Sequence, residues 1–313
     1  MESIITNPVT SATAPTATST VRVNTIGYVA FDTPDVERLT EYYTSALGFT
    51  LVDGDGRSAY LSADGSNHAV VLNQADEARA RARVGYRVDG SLDDAATRLT
   101  RAGYQVERRT DVSPTETTVL ALAEPQTGMP IHLYDSSVEI ARPGTDAVAP
   151  TKLGHVAAYV PSLDAMQSFY EELLGFQWSD TIGDFFVFMR CNTDHHAANF
   201  MKSDKYSGMH HVAYEMRDLT HLQNMLDHLA SREVRLEWGP GRHGPGHNIF
   251  TYHRDPDGNV IELFTQLDVM DDATGNYEPR PWHDGVLQYP RTWEADLKAQ
   301  NSWGPGNPAM RDR

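Results

Sequence analysis

Residues 26–49 read IGYVAFDTPDVERLTEYYTSALGF, and residues 153–176 read LGHVAAYVPSLDAMQSFYEELLGF. The two stretches align at an offset of 127. Each opens with an alternating apolar run, the period-two pattern of a strand. Each then passes a turn and takes up helical spacing. Met166, Phe169, Tyr170, Leu173 and Leu174 fall on one helical face, as do Leu39, Tyr42, Tyr43, Ala46 and Leu47 in the earlier copy.

The likeness continues in order along the chain. YLSADGSNHAVVL from Tyr60 aligns with FMRCNTDHHAANF from Phe188, and RVGYRVDGSLDD from Arg83 with HVAYEMRDLTHL from His211, both at 128. EPQTGMPIHLY (124–134) aligns with RDPDGNVIELF (254–264) at 130. Four blocks in register mean an internal duplication. Leu219, Leu222, Met225, Leu226 and Leu229 predict a second helix in the later copy. The strand–helix–strands unit thus occurs about four times, and the chain reads as α+β, two tandem domains of paired units.

The divisions follow from composition. Residues 1–20 are rich in Thr, Ala, Ser and Pro and lack the basic and apolar parts of a secretory signal, so they read as a flexible leader. The first domain spans 21–137. Pro143, Gly144 and Pro150 break the pattern before a second domain at 151–267. A Trp- and Pro-rich extension fills 268–313, with Trp282, Trp293 and Trp303 expected to fold back over the second domain.

The 313 residues are 40% hydrophobic and 22% charged, a globular balance. Lys+Arg 26 against Asp+Glu 43 gives −17, which does not suit a protein that neutralises nucleic-acid phosphates. No apolar run reaches the roughly 20 residues of a membrane helix. The single cysteine, Cys191, excludes an intrachain disulfide and a four-cysteine zinc site, and with the leader it points to the cytoplasm.

The copies differ where chemistry would sit. The second domain has His155, His211 and Glu262 where the first has Tyr28, Arg83 and His132. Two imidazoles and a carboxylate, each in a strand-like run, are the donor set of a facial triad, which holds a non-haem Fe(II) and leaves positions open. His210 and His211 are adjacent; the strand frame selects His211.

GHVAAYV, MHHVAYEM and DPDGNVIELF together resemble the extradiol ring-cleaving catechol dioxygenases of the vicinal oxygen chelate superfamily. The likeness covers roughly residues 22–267. It implies βαβββ modules, a first domain without metal, and His155, His211 and Glu262 as ligands of Fe(II), with Mn(II) also compatible. O2 would be co-substrate and a catechol the substrate. DHHAANF matches the family's acid–base histidine at His196, with His195 beside it and His68 at the equivalent place in the first domain. GPGRHGPGHNIFTY matches an element that makes His243 and Tyr252 catalytic and substrate-binding. Trp238 is expected to bind substrate. His247 is placed with the substrate-binding residues, a surface role being the alternative.

The family's homoprotocatechuate enzymes carry an arginine where this chain has Trp238, which favours an alkyl-, aryl- or halogen-substituted catechol. Phe186 and Trp282 are further candidates for an apolar wall, and Arg280 and Arg291 for a source of charge. The product would be a hydroxymuconic semialdehyde-type compound of aromatic catabolism, and a homo-oligomer, a tetramer on the family pattern, is expected. The alternatives are a hydroquinone-type ring-cleaving dioxygenase, a glyoxalase-like isomerase or lyase, and a non-catalytic binding protein. Glyoxalase sites usually add a further carboxylate ligand.

Overall fold

The computed structural model describes residues 19–64, 67–110, 112–137, 148–283 and 285–307, without the side chains of 79–82. Nearly all of the expected leader and most of the linker lie outside these residues.

The first domain is one eight-stranded sheet with two helices. Its first unit is β1 (Val23–Thr33), α1 (Val36–Ser45), β2 (Thr50–Gly54), β3 (Ser58–Ser62) and β4 (Val70–Gln74). The second is β5 (Arg79–Val88), α2 (Leu92–Arg101), β6 (Glu107–Thr110), β7 (Thr118–Ala123) and β8 (Pro130–Tyr134). The strand order β2-β3-β4-β1-β5-β8-β7-β6 joins the units through antiparallel β1 and β5. The second domain repeats this with β9 (Lys152–Val160), α3 (Leu163–Ser168), β10 (Gln177–Ile182), β11 (Phe186–Arg190) and β12 (Ala198–Lys202). Then follow β13 (Gly208–Glu215), α4 (Leu219–Ser231), β14 (Trp238–Arg242), β15 (Ile249–Arg254) and β16 (Val260–Thr265).

The register carries the duplication to single residues. Tyr28 faces Gly85, which faces His132; His155 faces Ala213, which faces Glu262. Alternation along the strands then decides which side chains meet. Val156, Ala158, Val212, Tyr214, Ile261 and Leu263 enter the main apolar core. Their neighbours His155, His211 and Glu262 therefore share the opposite face. A single core runs through both domains, with Phe49 of the first stacked edge-on against Tyr214 of the second at 5.1 Å.

The helices follow their stripes. Asp35 caps α1 by accepting from the Arg38 N–H, and Leu39, Tyr42 and Tyr43 are buried. α3 widens into a π-helical turn at Phe169–Leu173, which still buries Met166, Phe169, Tyr170 and Leu173. Asp218 caps α4, whose Leu222, Met225 and Leu229 are buried. Leu219, read from the sequence as part of that stripe, is the first residue of the helix, directly after the Asp218 cap, and is 48% exposed.

The chain after 267 returns to the second domain. A short hairpin, β17 (Met270–Asp271) with β18 (Asn276–Tyr277), precedes β19 (Arg291–Trp293), which extends the large sheet parallel to β10. A single turn of helix, α5 (Leu297–Gln300), follows. Among the described residues no helix is long and apolar enough to cross a membrane.

Candidate metal centre

Glycine makes room for the packing around the first candidate ligand. A Cβ on Gly154 would lie 2.3 Å from the Phe264 ring, so only glycine lets that ring pack beside His155. The three central strands then bring the donor atoms together. His155 Nε2 lies 3.1 Å from Glu262 Oε2, His211 Nε2 lies 3.2 Å from the same oxygen, and the two Nε2 atoms are 3.3 Å apart. A cation about 2.1 Å from each donor would set edges between roughly 3.0 Å (octahedral) and 3.4 Å (tetrahedral), so the donor triangle fits one ion. All three side chains are buried, at 5% exposure or less.

Burial alone would raise the Glu262 carboxyl, but His155 and His211 outweigh it and hold the group well below the ordinary carboxylate range. Burial lowers His211. Both states, anionic Glu and neutral His, are those a metal takes. Asn248 Nδ2 donates to Glu262 Oε1 at 2.9 Å and Tyr252 Oη donates to Oε2 at 2.8 Å, fixing the carboxylate from both sides.

His196, His243, Tyr252 and Trp238 all line the same cavity. The His196 ring packs edge-on to His155 at 4.3 Å. Its Nδ1 meets His195 Nδ1 at 2.8 Å, and His195 Nε2 meets Asp180 Oδ2 at 3.0 Å. Asp180 can only accept, so His195 carries its proton on Nε2 and accepts from His196. That leaves His196 Nε2 as the basic nitrogen. Burial, reinforced by His155 and His195, holds this imidazole well below its ordinary pKa. His68, at the equivalent place in the first domain, instead meets Thr115 Oγ1 and lies 3.1 Å from Glu116.

His243 Nδ1 donates to the Gln300 carbonyl at 2.6 Å, and burial brings its pKa down to about 4. Its Nε2 is 3.2 Å from Tyr252 Oη, so the single phenolic proton faces two acceptors, Glu262 and His243. Burial and the Glu262 charge hold that phenol well above its ordinary pKa. Trp238 stacks on Tyr252 and donates from Nε1 to the Pro305 carbonyl at 2.9 Å.

Other expectations are corrected. His247 does not line the cavity. Its backbone is left-handed (φ 47°), and its Nδ1 is drawn to Asp268 Oδ2 at 2.6 Å, beside His283. Trp282 is outside too, 44% exposed beneath Arg242. Arg280 donates to the Leu267 carbonyl and Arg291 stacks on Trp293, so neither charges the cavity. Phe186 does line it, with Phe185 and Phe188.

Sequence reasoning did not find Asp180, Asn248 or Gln300. Asp180 also accepts from the Arg291 N–H and from Trp293 Nε1, both at 2.8 Å, tying β19 to the His195–His196 pair. The adjacent histidines of DHHAANF were the one local signal for that chain.

The sequence profile of the Glyoxalase/Bleomycin resistance protein/Dioxygenase superfamily matches residues 25–133 and 152–263. The chain belongs to this superfamily. It is 31% identical over 133 residues to Metapyrocatechase 2 of Cupriavidus necator, a match covering 42% of this chain and 41% of that one. It is 24% identical to the manganese-dependent 2,3-dihydroxybiphenyl 1,2-dioxygenase of Geobacillus genomosp. 3, over 88% of this chain and 94% of that one. Among solved structures, the Mn(II)-bound glyoxalase from Novosphingobium aromaticivorans superposes with a TM-score of 0.80 at 26% identity, covering 93% of this chain and 94% of that one.

Proposed function

We propose that this superfamily member is a metal-dependent extradiol dioxygenase that opens the ring of a substituted catechol with O2 to a hydroxymuconic semialdehyde-type product. The observation that carries the reading is that His196, His243 and Tyr252 face the same cavity as the His155–His211–Glu262 triad. Fe(II) is the proposed metal; the same ligands accept Mn(II). His155, His211 and Glu262 would hold the ion, which would supply Lewis acidity and a route for electrons between a catechol and O2.

The chain's own groups do the rest. His196 Nε2 is the base that accepts a catechol hydroxyl proton and later returns it, with His195 and Asp180 holding the ring. Tyr252 offers its proton to the substrate oxygen. His243, neutral and anchored on Gln300, orients the ring edge. Phe186, Phe188 and Trp238 exclude water from the reacting bond. No Lys or Arg lines the cavity among the described residues, which favours an alkyl, aryl or halogen substituent over a carboxylate. We further read the protein as a cytoplasmic homo-oligomer, its one cysteine free and buried.

Likeness to the Mn(II)-bound glyoxalase supports a second reading, a metal isomerase or lyase on this scaffold. Anaerobic purification, metal analysis and then O2 with a panel of catechols separates the two. Stoichiometric iron or manganese and a yellow product from an uncharged catechol is the expected result. Activity only on a non-aromatic substrate, without O2 uptake, would overturn the dioxygenase reading.

A further inference from the structure

The first domain has its own cavity on the same face of its sheet, about 460 Å³ in volume. The triad positions are occupied there by Tyr28, Arg83 and His132, and this set has a chemistry of its own. Tyr28 Oη lies 2.6 Å from His132 Nδ1. The phenol is held protonated by burial and has no other hydrogen-bond partner among the described residues, so it donates to Nδ1. The His132 ring proton therefore sits on Nε2. That N–H is buried and has no partner among the described residues, on a residue only 4% exposed. Asn73 Nδ2, in the same lining, is a second buried donor without an acceptor among the described residues.

Charge points the same way. Arg109 pairs with Glu107 at 2.7 Å and Arg108 pairs with Asp93, which neutralises them. Arg83 has no ion pair among the described residues. Burial brings His132 down to about 4, and the charges of Arg83 and Arg109 add to this against the opposing pull of Glu107. Three donor groups thus line one cavity without a partner among the described residues, and the carboxylate on that lining, Glu107, is already paired with Arg109, so the donors are left as the complement of a carboxylate. Tyr28, Tyr60, Val71 and Val112 supply a flat apolar wall alongside.

We propose that the first domain's cavity is a binding site for a small aromatic carboxylate, held by Arg83, His132 and Asn73 and stacked against Tyr28 and Tyr60. The domain that lacks the metal donors is then a second ligand site, of opposite preference to the second domain's cavity, which no Lys or Arg lines among the described residues.

Calorimetric titration of the full-length, metal-loaded protein with benzoate tests this, with benzamide as the uncharged probe of the same shape. Benzoate is expected to bind one site that survives His155→Ala. It should weaken about tenfold or more in Arg83→Gln and in Asn73→Asp, and benzamide should bind about tenfold weaker than benzoate. Asn73 is only half-buried, so Asn73→Asp stands as the test if Arg83→Gln fails to fold. Three results would each overturn the proposal: no benzoate binding at millimolar concentration, binding indifferent to both first-domain substitutions, or binding abolished by His155→Ala.

Discussion

Asn248→Leu isolates the contribution of a single hydrogen bond to the metal centre. Asn248 is fully buried, and its Nδ2 is the one donor to Glu262 Oε1 among the described residues. Its own Oδ1 is buried without a partner among the described residues, so leucine removes an unsatisfied oxygen while keeping the volume. What is lost is a hydrogen bond to a charged acceptor, about 1.5–3 kcal/mol. If the bond were equally strong with and without metal, the loss would appear only in the stability of the metal-free protein. Freed on one side, however, the carboxylate can rotate away from the two Nε2 atoms that it must join. Orienting partners of this kind are worth about 10–100-fold in metal affinity. Anaerobic competition of Mn(II) or Fe(II) against a fluorescent chelator measures that share, and melting of the metal-free protein measures the rest. The expected result is a dissociation constant raised about 10–100-fold, with unchanged affinity in Trp282→Ala, outside the cavity. Unchanged affinity with lowered stability would make Asn248 a packing residue and refute the orienting argument.

Further predictions concern protons and the tail. His253 is fully buried with neither ring nitrogen bonded among the described residues, and burial brings its pKa down to about 4. Unfolded, it titrates near its ordinary value, so between about pH 6.5 and 4 the unfolded chain binds the extra proton, and stability falls by up to about 1.4 kcal/mol per pH unit from this group. His253→Phe should flatten the denaturant midpoint against pH in that window; an unchanged slope would rule this histidine out as a contributor. His196→Gln should keep the metal and lose about 10²–10⁴ in kcat, the range of general acid–base catalysis; full turnover would remove it from the mechanism. Asp180→Asn should loosen β19, lowering stability by about 1–3 kcal/mol and red-shifting the emission of Trp293; both unchanged would show that the Asp180 bridge does not hold the tail.

The duplication, the strand frame and the triad were legible in the sequence because each rests on local periodicity. Alternation along β9, β13 and β16 forces His155, His211 and Glu262 to one face whatever the rest of the chain does. The same alternation, with the offset of the repeat, placed Tyr28, Arg83 and His132 at the matching positions. The direction of His247 was not legible, because it depends on Asp268, twenty-one residues away, and on a left-handed backbone angle. The link from Asp180 to the tail crosses more than a hundred residues, and no spacing rule spans that. Nor could composition foresee that Arg108 and Arg109 would be paired while Arg83 has no ion pair among the described residues. The sequence determined the elements and the faces they present, since these follow from steric and apolar periodicity within a few residues. Only the tertiary structure decided which polar groups found partners, because pairing depends on distances between segments that the chain joins only when it folds.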